Sequence, residues 1–308
     1  MSPRIHTAFT EMFSIDYPIV CAPMFLVSYP DLVVAACEAG ALGTFPAPNF
    51  RTHEEYRAAI REIKSRTNKP FGINVTLRHN DRLWPDIDAA LEEEVALLIT
   101  SLGDPSEIIR KAKGTKTRVF SDVINQRHAS KVAQAGVDGL VAVAYGAGGH
   151  AGQISPFILG PWLKKIYGLP VLCAGGISDG HGLAAALALG LDAAYMGTRF
   201  IATKESPAKP EYKQAILESS PEDIEYTARV SGVLGNYIRK TIPPDIDGAE
   251  QARTRRWKDI WSAGQGVGLI DDVPSCKELI DRIVAQYDEV RMGLPALAGE
   301  REMAKALR

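Results

Sequence analysis

Paired cysteines, basic runs and long apolar stretches are all missing from this 308-residue chain. Its four cysteines, Cys21, Cys37, Cys173 and Cys276, are widely scattered and never form C-x-x-C, which argues against a zinc cluster and against a small disulfide framework. A reducing interior is the simpler setting. Lys and Arg total 35 against 37 Asp and Glu, a formal net charge of −2, and no basic block is present to neutralise a phosphate backbone. Nucleic acid is therefore not an expected partner. No segment approaches the ~18 consecutive apolar residues needed to span a bilayer, and the first residues lack the apolar core of a signal peptide. The expectation is a soluble, cytoplasmic protein without a membrane partner.

With 46% hydrophobic residues, the chain can bury a substantial core. Short β-rich apolar runs, bounded by Gly, Pro or polar residues, recur at 18–21, 42–45, 71–75, 95–100, 118–121, 140–143, 171–174 and 193–196. Between them, segments 31–39, 54–65, 106–113, 125–135 and 182–189 repeat apolar residues at three- and four-residue spacing, as helices do. Strand and helix in alternation mean a parallel sheet. Ala39-Gly40, Ala135-Gly136 and Leu189-Gly190 each lead straight into a strand, and a glycine there accepts the left-handed turn that ends a helix. A doubly wound open sheet would carry a Gly-rich fingerprint after its first strand, and that fingerprint is absent. Eight strands with Gly-rich turns after the late ones predict an α/β fold of the (β/α)8 TIM barrel type with a small, mostly helical C-terminal addition. The barrel is expected over 8–204 and 270–292, with 205–269 as a rim excursion or small subdomain. Residues 83–97 read as one helix or two.

The strand exits carry the candidate chemistry. After the sixth strand comes Tyr145-Gly-Ala-Gly-Gly-His150-Ala-Gly152, either a ligand-approaching loop with a functional histidine or a flexible loop with an incidental one. No Cys, Asp or Glu ligand set accompanies His150, so a metal role is not expected, and an imidazole near its ordinary pKa suits proton transfer. Ala174-Gly175-Gly176-Ile177-Ser178-Asp179-Gly180 and Met196-Gly197-Thr198-Arg199-Phe200 follow the seventh and eighth strands. In a barrel these exits are neighbours, and their bare amides can cradle a phosphate; Arg199 is read as structural and left out of the site. Ala22-Pro23-Met24 follows the first strand and Asn74 ends the third. These suit the edge and face of a planar ring, or else serve as strand terminator, core filler and turn cap. His128 and His181 are read as ordinary surface residues.

On these motifs, together with Phe71-Gly72-Ile73-Asn74 and Trp261-Ser262-Ala263-Gly264-Gln265-Gly266-Val267-Gly268, the chain resembles the nitronate monooxygenase family over residues 8–292. The resemblance implies an FMN-binding barrel. Gly175, Gly176, Gly197 and Thr198 would hold the phosphate, Ala22, Pro23, Met24, Asn74, Gly148 and Gly149 the ring, and Ala174 and Gln265 would complete the cofactor wall. His150 matches the family's active-site histidine, the base for neutral nitroalkanes. The implied reaction oxidises a small-molecule nitronate or nitroalkane with dioxygen to a carbonyl compound and nitrite. Similar enzymes reduce quinone or enoyl substrates with NAD(P)H, which is the alternative; a flavin-free barrel that binds a phosphorylated metabolite is a third reading, and homo-oligomerisation is compatible with the chain. One departure stands out. Many members place a lysine at the exit of the fifth strand, beside the flavin edge that becomes negative, whereas Asp122 occupies that place here; unless it points away or a cation such as Arg127 compensates it, the anionic reduced flavin is less favoured, with consequences for the flavin potential and oxygen chemistry.

Overall fold

A computed structural model of the chain describes residues 5–77, 81–244, 246 and 259–297. Eight strands close into one parallel barrel: β1 (Ile19–Cys21), β2 (Leu42–Pro46), β3 (Phe71–Thr76), β4 (Leu97–Ser101), β5 (Arg118–Val123), β6 (Gly139–Val143), β8 (Val171–Ala174) and β9 (Ala193–Met196). Each is one of the eight runs read from the sequence, with ends moved by one or two residues. The largest shift is at β4, which begins at Leu97 because Glu94 adopts a left-handed conformation (φ 51°) after the preceding helix. That helix, α4 (Leu83–Glu92), is single, which settles the ambiguity over 83–97. Closure comes from β9 pairing with β1, Ile19 opposite Ala194 and Cys21 opposite Met196.

The barrel interior is filled by inward-facing side chains such as Val20, Leu42, Ile99, Phe120, Val141 and Leu172. Its amino-terminal end is plugged by a short helix that the sequence reading did not assign, α1 (Ala8–Phe13), capped by reciprocal bonds between Thr7 and Thr10. Phe9 and Phe13 of α1 meet the Phe120 ring at 5.9 and 6.1 Å, so three aromatic rings seal the floor. Around the outside run α2 (Pro30–Glu38), α3 (His53–Arg66), α4, α5 (Ser106–Ala112), α6 (Gln126–Ala135), α7 (Pro156–Tyr167) and α8 (Gly180–Ala188). After β9 comes only one helical turn, α9 (Thr198–Ile201); the long C-terminal helix α11 (Cys276–Leu297) closes the ring by packing on α8 and α2. Gly40, Gly136 and Gly190 all take positive φ at helix ends, as the repeated corner requires.

The excursion after α9 holds α10 (Pro210–Leu217) and a β-hairpin, β10 (Ile224–Thr227) with β11 (Gly235–Ile238). The sequence reading gave no strands here. β11 also pairs antiparallel with a two-residue strand above the barrel, β7 (Gly149–His150), placing Gly235 opposite His150 and Asn236 opposite Gly149. Among the described residues, no helix is long and apolar enough to cross a membrane.

A β-carbon added at Gly139 would lie 2.3 Å from the Phe120 ring, which is fully buried and has nowhere to go. Gly139→Ala is expected to destabilise the protein by about 1–3 kcal/mol through overpacking. A thermal unfolding midpoint lowered by several degrees would bear this out, and an unchanged one would contradict the packing described.

Candidate active site

The carboxyl ends of the barrel strands open on a cavity of about 1520 Å³. Ala22, Pro23 and Met24 line it from the β1 exit, Asn74 from β3, Gly148, Gly149 and His150 from the loop after β6, Ala174, Gly175 and Gly176 from β8, and Gly197 and Thr198 from β9. Closure of the sheet thus brings these candidates to one rim. Gln265 is the exception. Its amide donates to the Gly146 carbonyl at 2.9 Å and its side-chain oxygen lies against Gly146, while the flanking Gly264 and Gly266 face the cavity instead.

One side of the cavity is a wall of donors. The amides of Gly176, Gly197 and Thr198 donate to no group among the described residues. A β-carbon on Gly176 or Gly149 would point into open space, so the backbone itself forms the surface there. Thr198 Oγ1 accepts from the Gly264 amide at 2.9 Å, which leaves its own proton to donate. Backbone-to-backbone contact brings the 263–266 segment this close: a β-carbon on Gly264 would meet the Gly146 carbonyl at 2.3 Å and the Gly148 nitrogen at 2.8 Å. Ser178 fastens the far end by donating to the Gly266 carbonyl at 2.9 Å. Arg199 takes no part. It is buried, paired with Asp272 at 3.2 Å, and donates to the carbonyls of Ala202 and Asp272.

The opposite side differs from the expectation at two points. Backbone at Ala22–Met24 has no donor to offer a ring edge: the Ala22 amide bonds the Met196 carbonyl, Pro23 has none, and the Met24 amide bonds Ser28 Oγ at 2.9 Å. This segment therefore contributes packing, with Met24 over Gly197. Asn74 likewise spends its amide protons within the protein, on the Ile99 carbonyl (3.1 Å) and Ser101 Oγ (2.8 Å), so that what it presents to a ligand is an acceptor oxygen. Ser101 in turn donates to Asp122 Oδ2 at 2.6 Å.

Asp122 does not point away: it lines the cavity, and its Oδ1 is sealed from solvent without a hydrogen-bond partner. Nor does Arg127 compensate it, being exposed and outside the cavity lining. Burial pushes the Asp122 carboxyl up to about 6, against the opposing pull of Ser101. Tyr195, also on the wall, is held well above its ordinary range, first by burial and then by the Asp122 charge.

His150 is fixed by the hairpin, a partner no local signal reveals. Its Nε2 lies 2.8 Å from Ser231 Oγ, and Ser231 donates to the Val233 carbonyl at 3.2 Å. Either atom can donate in the bond between Nε2 and Ser231 Oγ, according to the imidazole tautomer, and the bond fixes the plane of the ring. Asn236 of β11 steadies the same loop by donating to the Ala147 carbonyl at 2.7 Å. His181 is exposed beside Asp179, whereas His128 reaches the outer cavity wall.

Unpartnered amides and a threonine hydroxyl on one side suit a phosphate; a methionine face and acceptor oxygens on the other suit a planar heterocycle with N–H groups. The residues present fit a flavin mononucleotide, and a (β/α)8 barrel with this rim is a flavoenzyme of the oxidoreductase class. The nitronate monooxygenase family profile matches residues 6–93 and 84–255. The chain belongs to that family and its cofactor is FMN, which removes the flavin-free reading. It is 30% identical to a 5-hydroxy-7a-methyl-1-oxo-octahydro-1H-indene-4-carboxyl-CoA dehydrogenase of Rhodococcus jostii, over 91% of this chain and 95% of that one. A nitronate monooxygenase of Paraburkholderia phytofirmans is 35% identical over 74% of this chain and 75% of its own. Among solved structures, FabK of Thermotoga maritima superposes with a TM-score of 0.84 at 29% identity, covering 95% of this chain and 99% of its own.

Thr198→Val removes a hydroxyl donor from the amide wall and is expected to weaken FMN about tenfold, since hydrogen bonds to charged groups are worth roughly 1.5–3 kcal/mol. Quenching of free FMN fluorescence on titration with protein measures this. A carboxyl raised to about 6 in the folded state contributes no instability below its unfolded value and a growing penalty as pH rises through 6. Asp122→Asn is therefore expected to stabilise the FMN-loaded protein by up to about 3 kcal/mol at pH 8 and to change little at pH 4. Unfolding midpoints at the two pH values check it.

Proposed function

We propose that the enzyme removes a hydride from a bulky, largely apolar substrate, of the class of hydroxylated carboxyl thioesters, rather than from a small nitroalkane. Cavity size carries this reading. Sites for one drug-sized ligand run to about 300–1,000 Å³; the 1520 Å³ here leaves ample room beside FMN, far more than a nitroalkane needs. Phe25 (43% exposed), Leu102 (46%) and Leu234 (42%) stand at its lining, an apolar mouth that would shed water onto a hydrophobic ring or chain. The outer end carries His128 and Lys131, which suit a phosphate-bearing tail; burial, then Arg127 and Lys131, hold the His128 imidazole below its ordinary range. Asp104, which shares that end, is occupied in capping the Ser106 amide. Similarity to the carboxyl-CoA dehydrogenase along nearly the whole of both chains supports the same class.

FMN held by the amide wall would supply a two-electron acceptor for the hydride. The protein's part is to orient and to move the proton. His150, its ring oriented by Ser231, takes the hydroxyl proton as the carbon–hydrogen bond breaks. The apolar mouth excludes water from that step. Oxidation of alkyl nitronates by dioxygen is the second reading, favoured by the family and by the same histidine, which would hold a nitronate by hydrogen bond.

Anaerobic mixing of the FMN-loaded protein with a hydroxycyclohexane-carboxyl-CoA, with propyl-2-nitronate, and with NADH or NADPH separates the readings. The thioester is expected to bleach the flavin at least about tenfold faster than the nitronate, the margin that roughly 1.4 kcal/mol of preferential transition-state binding gives. Bleaching by the nitronate alone would install the second reading, and bleaching by a nicotinamide alone would install a reductase. His150→Asn should retain bound FMN and lose about 10²–10⁴-fold in the rate of flavin reduction by the productive donor. An unchanged rate would remove His150 from proton transfer.

A further inference from the structure

A buried carboxyl with one oxygen unbonded and no cation beside it is an expensive thing to keep in a barrel mouth. Asp122 is in that state. Ser101 Oγ holds its Oδ2 at 2.6 Å, its Oδ1 has no partner, and none of the ion pairs among the described residues includes it. The strands on either side bring it no charge: β4 offers Thr100 and Ser101, and β6 offers Val141 and Val143. The same cavity is lined by Tyr195 of β9, which burial keeps neutral and which feels the Asp122 charge, by His150 of β7, and by Asp104, His128 and Lys131. The lysine that the resemblance led one to expect at this strand exit is replaced by a group of opposite sign, with no compensating arginine among the described residues.

We propose that Asp122 is a redox-linked proton site: it binds one proton from solvent when the FMN in the same cavity gains two electrons, and releases it when the flavin is reoxidised. The argument is electrostatic. Two electrons entering the flavin add negative charge to a low-dielectric cavity that Asp122 already lines, and a like charge at short range favours the neutral carboxyl. Starting from about 6, a modest further rise carries the carboxyl across neutral pH. The balance is simple: the electrons pass from the reductant to FMN, the proton passes from solvent to the Asp122 carboxylate, and both return when an oxidant takes the electrons. Neutralised in this way, the acid no longer opposes the reduced flavin, so the chain solves by protonation what a lysine would solve by charge. Asn74 and Ser101 set the starting point, because the Ser101 proton favours the ionised form and Asn74 orients Ser101 to give it. The inference depends on FMN binding alone and holds for any substrate that reduces the flavin.

The test counts protons. FMN-loaded wild type, Asp122→Asn and Ser101→Ala are photoreduced anaerobically in weak buffer, and proton uptake is followed with a pH-indicator dye from pH 5 to pH 8. At pH 7 the wild type is expected to take up about 0.4 proton more per flavin than Asp122→Asn, the amount that a rise of about one unit from 6 gives, and the difference shrinks toward pH 5, where the carboxyl is already protonated. Ser101→Ala removes the hydrogen bond that favours the carboxylate, so its extra uptake should be centred about one pH unit higher. Equal uptake by wild type and Asp122→Asn across the range would overturn the proposal. Should Asp122→Asn fail to hold flavin by its absorption spectrum, Ser101→Ala decides: a profile superposable on the wild type's overturns it, and a shift to higher pH supports it.

Discussion

Three ladder pairs between β9 and β1, from Ile19 with Ala194 to Cys21 with Met196, convert an open parallel sheet into a closed one. Closure leaves no strand edge, and it points every strand's carboxyl end at the same rim. Segments as remote as Ala22, Asn74, Asp122, His150, Gly176 and Thr198 become walls of one cavity for that reason alone. The plug of Phe9, Phe13 and Phe120 makes the other end solid, so the rim is held by a packed core rather than by its own loops. What the loops add is precise docking of 263–266 on the glycines at 146 and 148, where two backbones touch and no side chain would fit.

Electrostatics divide the cavity. Unpartnered amides and Thr198 offer donors that suit a phosphate, while Arg199, the obvious cation nearby, is consumed by Asp272 and two carbonyls. Amides fixed by closure donate without the entropy loss of a long side chain. The facing wall holds acceptors, Asn74 and Asp122, linked through Ser101. An anionic carboxyl kept there on a single hydrogen bond lowers stability above pH 6, and groups of that kind concentrate where chemistry is done. His150 stands on a different support, a hairpin belonging to the excursion, so the titratable groups of the cavity are held by two separate parts of the structure.

Much of the fold could be read in advance because each barrel strand is a short β-branched or apolar run fenced by Gly, Pro or polar residues. The helix ends at Gly40, Gly136 and Gly190 announce themselves by residue type. The plug helix and the hairpin could not be read so. Ala8–Phe13 is too short to show a period, and β11 finds one of its partners in the two residues Gly149–His150. Among site residues, those at strand exits were visible as bare glycines and a lone histidine. Gln265 was misjudged because a loop residue's inward or outward aim depends on what it docks against, here Gly146. That the Ala22–Met24 backbone has no amide left for a ring edge was not legible, because Ser28 and Met196 occupy those amides only once the strand exits are assembled.

By itself the sequence determined the order of strands and helices, the corners between them, and which residue types stand at each exit, since all of these follow from local sterics and apolar periodicity. Only the tertiary structure decided which way each polar group faces. The Asn74 amide is turned toward Ser101, His150 leans on Ser231 from 81 residues away, and Asp122 is left without a cation among the described residues. Hydrogen-bond direction and desolvation are properties of surroundings, and here the surroundings are assembled by barrel closure from segments that are not neighbours in the chain.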